Sequence, residues 1–211
     1  NRVDILMDLG KIYEGLRDEF KALEYYGKVT NMDPSSREAW YRMARIYSKF
    51  QNFDEAKRCY QYVLELNPDD WETWVKLGEI HHKLGEYSEA EHCYRRAIES
   101  NPSEPKIWRN LGDIYLATGK LREALQHYSK ALELNPQSPD VLCSIGNVYF
   151  VMGERDKAIE YYRRAVGMNP DQANVWYFLG KLYVEEGLYD KAIACIERAI
   201  RLGFRYAKAL Y

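Results

Sequence analysis

Written in rows of 34 residues, the chain comes back into register with itself six times, with rows beginning at Val3, Arg37, Trp71, Pro105, Pro139 and Ala173. Place 4 of the rows holds Leu6, Trp40, Trp74, Trp108, Leu142 and Trp176, which uses four of the five tryptophans. Place 7 holds Leu9, Met43, Leu77, Leu111, Ile145 and Leu179. Place 8 is Gly10, Ala44, Gly78, Gly112, Gly146 and Gly180, and place 11 is Tyr13, Tyr47, His81, Tyr115, Tyr149 and Tyr183. Place 20 is alanine in every row, place 24 is tyrosine in five rows and Ile196 in the sixth, and place 27 is valine or alanine throughout. Pro34, Pro68, Pro102, Pro136 and Pro170 follow at place 32, where the sixth row departs from the pattern with Phe204 in place of proline.

Places 4, 7, 8 and 11 share one face of a helix, and 20, 24 and 27 share one face of a second, because residues three and four apart lie together. Each row is therefore a helical hairpin. The small residues at places 8 and 20 let the two helices approach while the aromatic groups fill the space around them. An Asp-Pro or Asn-Pro pair ends the second helix, since proline disfavours the helical conformation in the residue before it. Rows 1 and 2 lack a glycine at place 15, carrying Arg17 and Gln51, so the turn between their two helices is the least secure part of the pattern.

These eight places resemble the signature of the tetratricopeptide repeat from Val3 to about Tyr206. The resemblance implies an all-α fold, a right-handed α-solenoid superhelix of helix-turn-helix hairpins. Residues 1–211 are then a single array, with repeats at 3–36, 37–70, 71–104, 105–138, 139–172 and 173–206, and 207–211 beginning a further or capping helix. Leu210 and Tyr211 fall on places 4 and 5 of a seventh row, and Asn1 is not an initiator methionine, so the chain reads as a segment of a longer protein. Repeats of this family mainly bind peptides or other proteins.

A formal net charge of −2 gives no overall pull toward nucleic acid or membrane. No apolar run approaches the ~20 residues of a transmembrane helix, and nothing at the start reads as a signal peptide. A soluble, cytoplasmic protein is expected. Cys59, Cys93 and Cys195 all fall at place 23, as does His127, but equivalent places in stacked repeats stand at least about 8–10 Å apart. A disulfide needs α-carbons within about 7 Å and zinc needs ligands at about 2.0–2.3 Å, so free thiols in a reducing compartment are expected. His81 is read as a core histidine with a hydrogen-bond partner, and the place 11 and place 24 tyrosines as packing residues. No cofactor, metal or catalytic motif is present in the sequence.

In arrays of this kind the first helices line a groove through places 2, 5, 6, 9, 12 and 13. Rows 2–4 place there Arg42, Arg45, Lys49, Lys76, Lys83, Lys106 and Arg109 against Glu38, Glu72, Glu79 and Asp113. Asn110 stands among them. Rows 5 and 6 are apolar by comparison, with Asn147, Phe150, Tyr177 and Phe178. The pattern predicts a groove whose basic half takes acidic side chains, a phosphorylated segment or a chain terminus, and whose aromatic half takes apolar side chains. The competing view is that the basic half is a solvated face and the apolar half is covered by a neighbouring segment. The two-carboxylate clamp that reads chaperone tails matches at one place of five, and an asparagine ladder like that of O-GlcNAc transferase arms would find only Asn110. The reading is a non-enzymatic interaction scaffold for a protein or peptide partner. The alternative is a regulatory or substrate-docking arm of an enzyme whose catalytic domain lies outside these residues. Self-association through the terminal repeats is a third expectation.

Overall fold

Glycine at place 8 and tyrosine at place 24 meet ring against backbone. A Cβ added at Gly10 would lie 2.4 Å from the Tyr26 ring, and one at Gly112 or Gly146 would lie 2.6 Å from Tyr128 or Tyr162. The rings fill the notches left by the glycines and are buried: Tyr26, Tyr128 and Tyr162 are 0% exposed, and Tyr60 and Tyr94 1%. In the second repeat Ala44 replaces glycine and is itself fully buried, and in the sixth Gly180 faces Ile196 instead of a ring.

The computed structural model describes residues 2–204, and every regular element among them is a helix. First helices begin at the first place of each row after the first, and second helices at place 17. The expected further helix at 207–211 lies outside the described residues. Two compact units are formed, Asn1–Pro102 and Ser103–Tyr211. The first contains α1 (Arg2–Gly15), α2 (Glu19–Met32), α3 (Arg37–Lys49), α4 (Phe53–Leu66), α5 (Trp71–Lys83) and α6 (Tyr87–Ser100). The second contains α7 (Pro105–Ala117), α8 (Leu121–Leu134), α9 (Pro139–Met152), α10 (Arg155–Met168), α11 (Ala173–Glu185) and α12 (Tyr189–Arg201). In both, each first helix packs on its own second helix, and that second helix packs on the next first helix of the unit.

The helix ends follow from the sequence. Asp18, Asp70 and Ser138 accept from backbone N–H groups three residues on, the usual N-cap bond, and Pro105 and Pro139 occupy first positions where a missing N–H costs nothing. Asp33, Asn67, Asn101, Asn135 and Asn169 form the C-caps of the second helices. The tryptophans at place 4 do more than fill space: Trp40, Trp74 and Trp176 each donate their indole N–H to the carbonyl of Pro34, Pro68 or Pro170, at 3.0, 2.8 and 2.8 Å. Each bond ties a first helix to the loop that delivers it.

The inter-helix turn has the same conformation in every repeat. Gly85, Gly119, Gly153 and Gly187 adopt φ of 73–77° there, and Arg17 and Gln51 are forced to 60° and 59°. The expected weakness of the first turns is thus one of strain, with the geometry unchanged. A left-handed residue bearing a Cβ costs about 1–2 kcal/mol, partly offset by the larger unfolded-state entropy of glycine. Gln51→Gly should therefore stabilise the protein by about 0.5–1 kcal/mol in denaturant titrations.

Opposite signs are expected for one substitution at two glycines. At Gly27, inside α2, a Cβ meets nothing within 4 Å, so Gly27→Ala should gain up to about 1 kcal/mol from helix propensity. At Gly112 the clash with Tyr128 costs about 1–3 kcal/mol, which outweighs that gain. A net loss of about 1 kcal/mol, read as a lower denaturation midpoint at unchanged slope, is expected there.

Candidate protein-binding face

The buried tyrosines reach the first-helix face with their hydroxyls. Tyr26 donates to Glu14 at 2.8 Å, Tyr128 to Asp113 at 2.6 Å and Tyr162 to Asn147 Oδ1 at 2.7 Å. Burial and the neighbouring carboxylates drive the Tyr26 and Tyr128 hydroxyls well above their ordinary pKa, so they stay protonated donors. Polar residues at places 9 and 12 are thereby held from beneath. Asn147 belongs to this support, with its side-chain oxygen committed to Tyr162.

In the first unit the basic residues are largely paired. Arg42 bonds Glu14 at 2.8 Å and Glu38 at 3.0 Å, and these bonds outweigh partial burial to keep its guanidinium charged. Lys49 pairs with Glu19, and Lys76 with Glu79 at 2.9 Å. Arg45 reaches Glu14 only at 4.0 Å and is half exposed. Lys83 is exposed, with no carboxylate partner among the described residues. Arg45, Lys49, Lys76 and Lys83 nevertheless converge, with Ser48, Tyr60 and Glu79, on one cavity of about 270 Å³. Counting rows 2–4 alone overlooked Glu14 and Glu19, which reach the basic residues of the second repeat from the first.

In the second unit, Lys106 lies exposed in the first turn of α7. Arg109 is 3.7 Å from Asp140 and donates to Asn110 at 3.4 Å. Asn110 is only 6% exposed, so its side chain supports Arg109 and is not presented to a partner. The aromatic residues do come together. Phe150 and Phe178 have ring centroids 5.7 Å apart, Tyr177 and Phe178 5.7 Å, and Phe178 also stacks over Tyr162 at 6.3 Å. Phe204, in the place where the other repeats carry proline, stacks on Tyr177 at 4.4 Å and enlarges the cluster. Lys181 lies 5.8 Å above Phe150. The departure from proline was visible in the sequence; that its ring turns toward place 5 was not.

All four cysteines are free and buried, Cys59, Cys93 and Cys195 at place 23 and Cys143 at place 5, and burial pushes the thiols of Cys59, Cys93 and Cys143 up to about 12. His81 has its partner in Glu86, at 2.5 Å. Among the described residues no group of histidine, cysteine and acidic side chains is placed to hold a metal ion, and no helix is long and apolar enough to cross a membrane. A second ion pair matches Lys49–Glu19 in position with the charges exchanged: Arg155, at place 17 of its row, bonds Glu185, at place 13 of the next, at 2.7 Å.

Family models of the tetratricopeptide repeat match residues 3–36, 43–107, 93–126, 112–153 and 143–203. The chain belongs to the tetratricopeptide repeat family. Proteins of this family are protein-interaction scaffolds. No curated protein matches it by sequence. Among solved structures, MamA is 27% identical over 80% of this chain and 98% of its own, with a TM-score of 0.69. A tetratricopeptide repeat protein from Parabacteroides merdae is 18% identical over 97% of this chain and 81% of its own, with a TM-score of 0.86. YrrB, described as having an unusual peptide-binding site, is 20% identical over 90% of this chain and 97% of its own, with a TM-score of 0.68. At these identities the last two show the fold alone.

The paired carboxylates set the response to acid. Hydrogen bonds from Lys49 to Glu19 and from His81 to Glu86 hold those carboxyls below their ordinary value of 4.5. At Glu38 burial pushes upward, but Lys11 and Arg42 together pull the carboxyl below 4.5 as well. A depressed folded-state pKa stabilises the fold above the unfolded value and ceases to do so as pH falls through the folded one. Denaturation midpoints should hold from neutrality to about pH 5 and fall below 4.5, and Glu38→Gln should make that fall shallower.

Proposed function

We propose that this chain is a non-enzymatic scaffold that holds a partner polypeptide on the first-helix faces of its repeats, taking acidic groups at the first unit and apolar side chains at the second. The convergence of Arg45, Lys49, Lys76 and Lys83 on one cavity carries the reading. Of the four cations that line it, Lys49 and Lys76 are paired with Glu19 and Glu79, and Lys83 supplies a charge that no carboxylate partner among the described residues neutralises. An incoming carboxylate or phosphate would meet a positive field without breaking the Arg42 cage. In the second unit Phe150, Tyr177 and Phe178 are half-buried, which leaves ring surface for a leucine or phenylalanine from the partner. Aromatic anchors of this kind commonly dominate binding energy, and a half-exposed cluster on one face is a usual mark of an interaction site.

The test is fluorescence anisotropy with labelled peptides that combine a run of aspartate or glutamate with a leucine or phenylalanine, beside the variants Lys76→Glu/Lys83→Glu and Phe150→Ala. The charge reversal should weaken binding by about tenfold or more, which is ~1.4 kcal/mol, and the loss should shrink at high salt. Phe150→Ala should weaken binding to a similar degree with little dependence on salt. Equal affinity of the wild type and both variants would move binding off these faces.

A further inference from the structure

Three repeats stack the place 11 ring on a ring at place 23: Tyr13 on Tyr25 at 5.3 Å, Tyr115 on His127 at 5.0 Å and Tyr149 on Tyr161 at 5.5 Å. In the fourth repeat the place 4 tryptophan joins them, with Trp108 stacked 5.7 Å from His127, so one imidazole contacts both Trp108 and Tyr115. The hairpin thus has a slot for a flat ring beside places 4 and 11, and its own second helix fills it.

In the third repeat the chain leaves that slot open. Place 23 is Cys93, too short to reach where a ring would lie, and place 11 is the smaller His81. Trp74, Leu77 and His81 of α5, Leu64 of α4 and Cys93 of α6 surround a cavity of about 720 Å³, within the ~300–1,000 Å³ usual for ligand sites. His92 meets Trp74 nearly perpendicularly at 5.9 Å and leaves this volume open. The second repeat also carries a cysteine, Cys59, but there Tyr62 at place 26 stacks on Trp40 at 4.6 Å. In the third repeat place 26 is Arg96, which lies 5.7 Å from the Trp74 ring and is held by Glu99 at 2.6 Å. Glu65 and Glu89 line the cavity as well; both are exposed, and neither bonds a cation among the described residues. In the sixth repeat Cys195 leaves a comparable space of about 490 Å³, but Arg163 and Lys191 line that one. A ring accompanied by a positive charge suits the third repeat and not the sixth.

We propose that the cavity between α4, α5 and α6 is a second binding site, which takes an aromatic side chain of a partner polypeptide with a lysine or arginine next to it. The ring takes the position that His127 has in the fourth repeat, here against Trp74 and His81, and the neighbouring cation is held by Glu65 and Glu89. Ring stacking contributes beyond the apolar area it buries, so an aliphatic side chain fills the same space less favourably. None of the residues lining this cavity belongs to the first-helix face described above, so the two sites are separable by substitution.

The experiment is fluorescence anisotropy with a labelled pentapeptide in which tryptophan is flanked by arginines. Two control peptides carry leucine for the tryptophan or glutamates for the arginines. The wild type should bind the first peptide about threefold or more tighter than the leucine peptide and about tenfold or more tighter than the glutamate peptide. Cys93→Tyr supplies from within the ring that Tyr25 and Tyr161 supply in their own repeats, and should weaken binding about tenfold or more. Glu65→Lys/Glu89→Lys, at two exposed positions, should weaken it to a similar degree, with a loss that shrinks at high salt. Circular dichroism verifies that the variants fold, and Lys76→Glu/Lys83→Glu, which disables the first-helix cavity, should not weaken binding of this peptide. No binding by the wild type, equal affinity for the tryptophan and leucine peptides, or unchanged affinity in either folded variant of the cavity would each overturn the proposal.

Discussion

The ring-on-glycine contact between places 8 and 24 is the constraint on which four of the six hairpins depend, with Ala44 in place of the glycine in the second and Ile196 in place of the ring in the sixth. It fixes how closely the two helices approach, because the tyrosine ring occupies the volume a side chain on the first helix would need. It also fixes the direction of the tyrosine, whose hydroxyl then arrives on the first-helix face. One contact thus packs the hairpin and positions polar residues such as Glu14, Asp113 and Asn147. A phenylalanine would pack as well and hold nothing. The sixth repeat, with Ile196 in place of the ring, has no such hydroxyl, and its first helix contributes aromatic rings to the surface instead of a supported polar row.

Charges on this face divide into those that join repeats and those left for a partner. Arg42 and Lys49 satisfy carboxylates of the preceding repeat and are already engaged. Exposed pairs of this sort contribute little each, about 0–1 kcal/mol, but they neutralise what a simple count of basic residues would add to the field. What remains is the cavity with Lys83 at its edge. Binding and cohesion draw on the same residue types on the same face, and only the geometry of pairing separates them.

The fold was legible because its information is local and repeated. Small residues at places 8 and 20, aromatic residues at 11 and 24 and the Asn-Pro stop each act within one hairpin, and six copies remove ambiguity. The face was legible only as a set of positions. Arg42 and Glu14 are 28 residues apart and Lys49 and Glu19 are 30 apart, so their pairing depends on how one repeat sits on the next, which the pattern inside a row does not encode. Asn110 and Asn147 read as ligands because their places face outward in general, yet one is buried and the other is bonded to a tyrosine from below. Phe204 read as a missing proline, and Arg17 and Gln51 as missing glycines, because a single-letter departure does not say whether the backbone changes or the residue bears the strain.

The exchanged ion pairs act as an ordering rule for the repeats. Lys49 meets Glu19 where the second repeat follows the first, and Glu185 meets Arg155 where the sixth follows the fifth. A rearranged chain that placed the second repeat after the fifth would set Lys49 against Arg155, and one that placed the sixth after the first would set Glu185 against Glu19. Six hairpins with nearly the same core are interchangeable by shape, but at the first and last junctions the charges are matched, so a rearrangement that sets the second copy after the fifth or the sixth after the first carries an electrostatic penalty that point substitution elsewhere on the surface does not.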